Sequence, residues 1–204
     1  MATASGHREA ALLVCGSLQS RSANRAVLDV AQRWLRSQRV ETDRYEHLGD
    51  LPTFNPDTDP GHVVGDWWFR IARAGVVLIA APEYAGALSG VMKNALDWIV
   101  GSGELNLKIA GVVSAGTNGA EHAQRMLVQT LTWRGAHVVA DLGITAPRTK
   151  TEVSGVSPTG QRSRHLRIWL PLSSAQRVVR FVTGWRSRAP RSSRPASRPT
   201  TSSL

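Results

Sequence analysis

The loop from Gly16 to Asn24 carries side chains suited to binding an anionic group. It follows an apolar run and leads into a helical pattern, so it lies where free backbone N–H groups and the helix dipole favour a phosphate. Ser17, Ser22 and Asn24 can donate side-chain hydrogen bonds to such a group. On spacing alone, Ser22 or Asn24 acting only as a helix cap is an equal alternative.

Two further loops have the composition of a surface for a planar ring. In the loop 82–90, Tyr84 offers an aromatic face, and Gly86 and Gly90 allow a ligand to approach the backbone closely. The loop 114–119 is also rich in small residues and can supply backbone donors to the same ring. Each loop taken alone is more typical of ordinary turn chemistry.

The sequence does not favour the other common nucleotide and metal sites. It contains neither G-x-G-x-x-G nor G-x-x-x-x-G-K-[ST], so the first loop suits a mononucleotide phosphate best. The six histidines lack the paired spacing of metal ligands, and with the single Cys15 we expect no metal site. We assign no residue as a catalytic acid, base or nucleophile.

Alternating strands and helices predict how these loops are positioned. Continuous apolar runs at 10–15 and 75–81 are typical of strands buried on both faces of a parallel sheet. Further strands are expected at 39–45, 108–114 and 137–144, helices at 24–38, around 67–72, at 91–99 and at 121–133, and a loop at 51–60. This pattern predicts a flavodoxin-like doubly wound α/β fold, with a five-stranded parallel sheet in the order 2-1-3-4-5 and helices on both faces. The loops after the first and third strands then meet where strand order reverses, which is where such sheets bind ligands.

Charge is distributed unevenly along the 204 residues. Residues 1–150 carry 15 Lys and Arg against 14 Asp and Glu, whereas residues 151–204 carry 10 Arg against the single acid Glu152. We therefore expect an N-terminal extension at 1–9, a nearly neutral folded domain at 10–150, and a basic Arg-, Ser- and Pro-rich extension at 151–204. Within that extension we expect an amphipathic helix at about 172–185 and disorder over roughly the last 20 residues. The abrupt loss of acids also fits a changed reading frame or an unrelated extension.

Three separated segments resemble the NADPH-dependent FMN reductase family, which includes quinone, chromate and azo-dye reductases. They are Gly16-Ser-Leu-x-x-x-Ser-x-Asn24, Pro82-Glu-Tyr84 and Gly90-Val-Met-Lys-Asn-Ala-Leu-Asp-Trp98. The similarity extends from about Ala10 to Lys150. It implies FMN as cofactor, NADPH or NADH as hydride donor, a small-molecule electron acceptor, and assembly as a homodimer or a dimer of dimers.

The resemblance also assigns FMN contacts to residues of the three loops. The first loop would hold the phosphate through Ser17, Ser22 and Asn24, and the second would contact the ribityl chain and the isoalloxazine ring. The residues assigned to FMN on this basis are Gly16, Ser17, Gln19, Ser22, Asn24, Pro82, Glu83, Tyr84, Ala85, Gly86, Ser114, Gly116, Thr117, Asn118 and Gly119.

Three positions depart from the family pattern. Gln19 stands where the family often has Arg, so a positive charge at the phosphate is missing unless Arg21 or Arg25 supplies it. Ala85 stands where Asn is common and Ser89 where Pro is common, and both changes are expected to loosen the second loop. We expect these departures to weaken flavin binding without abolishing it.

These features together predict an NAD(P)H-dependent FMN or quinone reductase, in which the flavin passes electrons to a quinone, a metal oxyanion, an azo compound or free flavin. One alternative is an FMN-binding electron carrier without pyridine-nucleotide turnover. Another is a degenerate scaffold whose basic extension binds nucleic acid or anionic membrane. No apolar run approaches the roughly 18 to 20 residues of a membrane span. With a polar N-terminus and one cysteine, the sequence predicts a cytoplasmic protein.

Overall fold

The computed structural model describes residues 10–145 in full, and two short strands at 151–153 and 166–168 at the level of the backbone. Its strands are β1 (Ala11–Cys15), β2 (Thr42–Tyr45), β3 (Val76–Ala80), β4 (Glu83–Tyr84), β5 (Ala87–Leu88), β6 (Ile109–Gly116), β7 (His137–Thr145), β8 (Thr151–Val153) and β9 (Leu166–Ile168). Its helices are α1 (Ala23–Ser37), α2 (Gly61–Arg73), α3 (Gly90–Asp97) and α4 (Glu121–Trp133).

Five parallel strands form the central sheet in the order β2-β1-β3-β6-β7. Counted among themselves, these strands follow the order 2-1-3-4-5, so the flavodoxin-like sheet expected from the sequence is confirmed. β4 pairs with β5, and β8 with β9, in two separate antiparallel pairs. The described part of the chain contains no helix that is long and apolar enough to cross a membrane.

The core is divided into two layers by the sheet. On one face, Val27, Leu28 and Leu35 of α1 pack against strand residues that include Leu13 and Leu78. On the other face, α2, α3 and α4 together cover the alternate residues of the same strands. Burial on both faces explains why β1 and β3 are continuous apolar runs in the sequence.

The second strand begins later than the sequence pattern suggested, at Thr42 rather than Arg39. Arg39 has a φ of 57°, and its N–H donates to the carbonyl of Arg36 at 2.9 Å. The next N–H, of Val40, donates to the carbonyl of Leu35 at 3.0 Å. Residues 39 and 40 therefore complete the C-terminal cap of α1 and cannot enter the sheet.

Three other features that the sequence did not predict lie around the expected loops. Residues 83–88 form the β4–β5 hairpin where the sequence indicated only a loop, and β6 continues to Gly116 rather than ending at residue 114. A short 3₁₀ turn at Leu48–Asp50 precedes the expected loop at 51–60. The helix expected at 172–185 and the disorder expected near residue 204 lie outside the described residues.

Candidate functional site

The loops after β1, β3 and β6 leave the same edge of the sheet at the same level. Cys15 is paired with Ala80, and Ala80 with Val113. One residue further along, the N–H of Gly16 donates to the carbonyl of Ala80 at 2.7 Å, and the N–H of Ala81 to that of Val113 at 3.1 Å. The topology therefore places the three candidate loops side by side, as the strand order predicted.

Two buried serine hydroxyls at this edge lack a hydrogen-bond partner within the described part of the chain. Ser17, the second residue of the first loop, is 2% exposed, and Ser114 of β6 is fully buried. An unpaired buried hydroxyl costs roughly 1 to 3 kcal/mol. Such groups are rare in folded proteins, and they indicate places where a ligand or an ordered water supplies the missing partner.

Ser22 caps the helix that follows the first loop. Its backbone is extended (φ −102°, ψ 136°), and its Oγ accepts a hydrogen bond from the N–H of Asn24 at 3.2 Å. Ser22 is therefore a helix cap, whether or not it also contacts a ligand. Because the oxygen accepts in this bond, its proton remains available for a second hydrogen bond.

The side chain of Asn24 links the first loop to the third. Its Nδ2 donates to the carbonyl of Ala115 at 2.9 Å, and its Oδ1 accepts from the N–H of Ala115 at 2.9 Å. Both polar atoms of this buried amide are engaged with a neighbouring strand. Asn24 was assigned to the phosphate by resemblance, but these contacts give it a structural role in holding α1 against β6.

Positive charge is only partly available at the first loop. Gln19 and Arg21 are exposed, while Arg25 forms an ion pair with Glu46 at 3.0 Å. The same Glu46 also forms an ion pair with Arg44 at 3.1 Å. Because Glu46 offsets its positive charge, Arg25 does not fully replace the charge of the arginine missing at position 19. Beside these side chains, backbone N–H groups, hydroxyls and the dipole of α1 can attract an anion here.

The second loop is a tight hairpin that presents Tyr84 to solvent. Ala85 and Gly86 join its two strands with φ values of 51° and 72°, the pair of positive angles that a type I′ turn requires. Tyr84 is 53% exposed, and a Cβ added at Gly86 or Gly90 would meet no atom within 4 Å. The hairpin therefore offers an aromatic side chain beside open space, as a ring-binding surface needs.

Glu83 fixes this hairpin to the N-terminus of α4. Its Oε2 accepts hydrogen bonds from the backbone N–H groups of His122 at 2.8 Å and Ala123 at 3.1 Å. The residue at the capping position, Ala120, has no side chain that can do this. Glu83 thus acts as the helix cap from a distant segment, a role that its assignment to FMN did not anticipate.

Ser89, at the end of the second loop, makes a hydrogen bond to the first loop. It is 2% exposed, and its Oγ donates to the carbonyl of Gly16 at 2.7 Å. This hydrogen bond, which proline cannot make, opposes the loosening of the second loop expected at Ser89. The other departure, Ala85, does strain the loop, because alanine rarely adopts a positive φ such as its 51°.

The third loop is a compact turn in which small residues are needed. The N–H of Gly119 donates to the carbonyl of Gly116 at 3.2 Å, and Gly119 has a φ of 79°. A Cβ on Gly116 would lie 3.3 Å from that of Ala120. Thr117 and Asn118, at the tip, are exposed. The turn brings their backbone to the edge that the other two loops share.

Two residues of the third resembling segment hold a neighbouring loop in place. Asn94 accepts from the N–H of Phe54 at 2.8 Å and donates to the carbonyl of Pro52 at 2.9 Å. The indole N–H of Trp98 donates to the same carbonyl at 2.8 Å. Sequence reasoning placed Trp98 in a shared motif but did not identify this contact. The structure shows that the motif anchors residues 52–54 beside α3.

The single thiol of the chain, that of Cys15, lies at the end of β1 directly before the first loop. Burial raises the pKa of the Cys15 thiol, which favours the neutral form of a side chain packed in the core. Among the described residues, no group of three or more His, Cys, Asp and Glu side chains could hold a metal ion. The arrangement is suited to binding and orienting a ligand.

Comparison with models of known protein families gives a match over most of the chain. The model described as NADPH-dependent FMN reductase matches residues 10–150. The chain belongs to that family. This match confirms the resemblance carried by the three segments. It also confirms the expected ligands, FMN as cofactor and NADPH as hydride donor, at the level of the family.

Individual relatives of this FMN reductase family member agree with that placement. An NAD(P)H:quinone oxidoreductase of Solanum tuberosum is 33% identical over 111 residues, which is 50% of this chain and 56% of that protein. The NADH:(hydroxy)cinnamate reductase subunit CrdA of Vibrio ruber is 35% identical over 128 residues, or 59% of this chain and 61% of that protein. The chain thus spans little more than half the length of these relatives.

A solved structure extends the similarity over more of the chain. FerB, a flavoenzyme NAD(P)H:(acceptor) oxidoreductase from Paracoccus denitrificans, superposes with a TM-score of 0.69 and 26% sequence identity. The match covers 88% of this chain and 96% of that one.

Proposed function

We propose that the three loops at the carboxyl edge of the sheet bind FMN, and that the protein is an NAD(P)H-dependent FMN or quinone reductase. The observation that carries this proposal is the hydroxyl of Ser17, which is buried in the loop leading to α1 and lacks a hydrogen-bond partner among the described residues. A phosphate at this position would accept the hydroxyl proton and the free N–H groups of the first turn.

The proposal gives the remaining assigned residues distinct roles. Ser22 would donate its proton to the phosphate while its oxygen continues to cap α1. Tyr84 and the backbone of residues 116–119 would lie along the ring, with Ser114 as a further buried donor below it. Glu83 and Asn24 would hold the loops rather than touch the ligand. Gln19, exposed in the first loop, would leave the phosphate without the arginine common in the family.

Bound FMN would supply the redox chemistry by accepting hydride from a nicotinamide and passing electrons to an acceptor. The chain's own residues would bind and orient the flavin and keep one face of its ring accessible. A quinone is the acceptor we favour, because the Solanum tuberosum relative is named a quinone oxidoreductase. Metal oxyanions, azo compounds and free flavin are further candidates. Assembly as a homodimer and residence in the cytoplasm belong to the same proposal and rest on the family resemblance.

Binding of FMN by the full chain tests the proposal. Titration is followed by the quenching of flavin fluorescence, with Ser17→Ala as the variant and Ser20→Ala, at an exposed serine of the same loop, as its control. Loss of one hydrogen bond to a charged group is worth about 1.5 to 3 kcal/mol, so S17A should weaken FMN binding by roughly 10- to 100-fold. S20A should change it less than twofold.

Turnover provides the second measurement. The FMN-loaded protein should bleach on addition of NADPH or NADH and regain its yellow colour on addition of a quinone. Failure of the full chain to bind FMN at micromolar concentrations would refute the proposal. Binding without bleaching by either nicotinamide would instead indicate an electron carrier.

A further inference from the structure

Ser89 connects two loops that are distant in the sequence. It lies 73 residues after Gly16, yet its Oγ donates to the carbonyl of Gly16 at 2.7 Å in a buried position. Gly16 is the first residue of the loop that holds Ser17, and Ser89 is the last residue of the loop that carries Tyr84. A single hydroxyl therefore joins the candidate phosphate loop to the candidate ring loop.

The position of Ser89 makes this contact notable. It directly precedes α3, where a serine side chain usually caps the helix by accepting from a backbone N–H. Here the side chain makes no capping hydrogen bond. The hydroxyl instead donates to Gly16 of the first loop, so its orientation is set by that loop and not by its own helix.

Gly16 is held on several sides. Its N–H donates to Ala80 at 2.7 Å, its carbonyl accepts from Ser89, and a Cβ added to it would lie 3.2 Å from atoms of both Ala81 and Met92. The peptide plane between Gly16 and Ser17 is thus fixed at its oxygen by Ser89. Rotation of this plane would move the N–H of Ser17 and the direction of its side chain.

We propose that Ser89 is a positioning residue, whose hydroxyl fixes the Gly16–Ser17 peptide so that Ser17 presents its N–H and Oγ to the phosphate of FMN. This inference rests on the proposed function. It assigns to position 89 of this chain a donor that the proline common in the family cannot supply.

The test compares FMN with riboflavin, which has the same ring but no phosphate. Ser89→Ala should weaken FMN binding by roughly fivefold, the effect of one ordinary hydrogen bond. It should change riboflavin binding less than twofold. Ser89→Thr, which keeps the hydroxyl, should restore most of the FMN affinity. A role limited to stability would lower both affinities together.

A matched control separates positioning from a general loss of stability. Trp67→Phe also removes one buried donor from one backbone carbonyl, that of Ala95 at 2.9 Å, but lies away from the three loops. W67F should lower the free energy of unfolding without changing the ratio of FMN to riboflavin affinity. If S89A and W67F changed this ratio equally, the proposal would be overturned.

Amide hydrogen exchange of the flavin-free protein gives an independent readout. S89A should accelerate exchange over residues 16–22, and the exchange of α4 should stay unchanged. If S89A does not fold, Ser89→Cys, a weaker donor, should fall between wild type and the expected alanine values, and wild-type affinity in S89C would overturn the proposal. Absence of FMN binding by the unsubstituted chain would refute the proposed function as well. FMN binding that S89A leaves unchanged would refute only the role of Ser89.

Discussion

Removing the carboxylate of Glu83 should detach the β4–β5 hairpin from α4 and destabilise the fold. The carboxylate accepts from two backbone N–H groups at 2.8 and 3.1 Å, and Ala120 at the capping position offers no substitute. Loss of a capping side chain costs roughly 0.5 to 2 kcal/mol, and hydrogen bonds to charged groups are worth about 1.5 to 3 kcal/mol each. Since Glu83 is only half-buried, we expect Glu83→Ala to lower the free energy of unfolding by about 2 kcal/mol.

Equilibrium unfolding in urea measures this loss, and a thermal scan should show a decrease in Tm of about 4 to 8 °C for a chain of this size. Glu83→Gln keeps an acceptor oxygen but removes the negative charge, so it should lower the free energy of unfolding by about 1 kcal/mol. Glu121→Ala is the matched control, because this acid lies in the first turn of the same helix, but its side chain is 80% exposed and its ion pair in the described part of the chain is with Arg125. Its cost should be about 0.5 kcal/mol. Equal losses for E83A and E121A would refute capping by Glu83.

Three further substitutions probe the turn, the Asn24 bridge and the core. Ala85→Asn should raise the free energy of unfolding by about 0.5 to 1 kcal/mol, because Asn tolerates the φ of 51° better than Ala. A lower stability of this variant in urea would show that Ala85 is not strained. Asn24→Ala leaves the N–H and the carbonyl of Ala115 without their side-chain partners, so it should lower the free energy of unfolding in the same assay by about 3 kcal/mol. Asn118→Ala, at an exposed asparagine, is the control and should lower it by less than about 0.5 kcal/mol. Burial raises the pKa of Tyr45 from 10.0 to about 12, so the unfolded chain loses this proton first and stability should fall as pH rises from 10 to 12. Tyr45→Phe should lack that part of the pH dependence in urea titrations at each pH.

The sequence was sufficient for the elements whose signals are local. β1 and β3 are central strands covered on both faces, so every residue is apolar and the pattern is unambiguous. The bounds of α4 agree with the expected 121–133. The start of β2 was misplaced because Arg39, which has no special propensity for a positive φ, completes the cap of α1. Nothing in the local pattern distinguishes it from a strand residue.

The site was harder to predict than the fold, because its decisive contacts join distant residues. Glu83 meets the backbone of α4 across 39 residues, Ser89 meets Gly16 across 73, and Asn24 meets Ala115 across 91. Sequence patterns identified the loops that take part. They could not show which polar side chains face the space between the three loops and which form hydrogen bonds within the protein, because that depends on the packing of the whole sheet.

The bridge between Asn24 and Ala115 also bears on how the protein is made. A chain emerging from the ribosome exposes the first loop long before residue 115 is available to fix it. Closing a contact of such sequence separation is among the slower events of folding. The nascent chain therefore carries the complete sequence of this loop through the synthesis of the next 91 residues without the shape that the loop needs. A product terminated before β6 would remain in that condition.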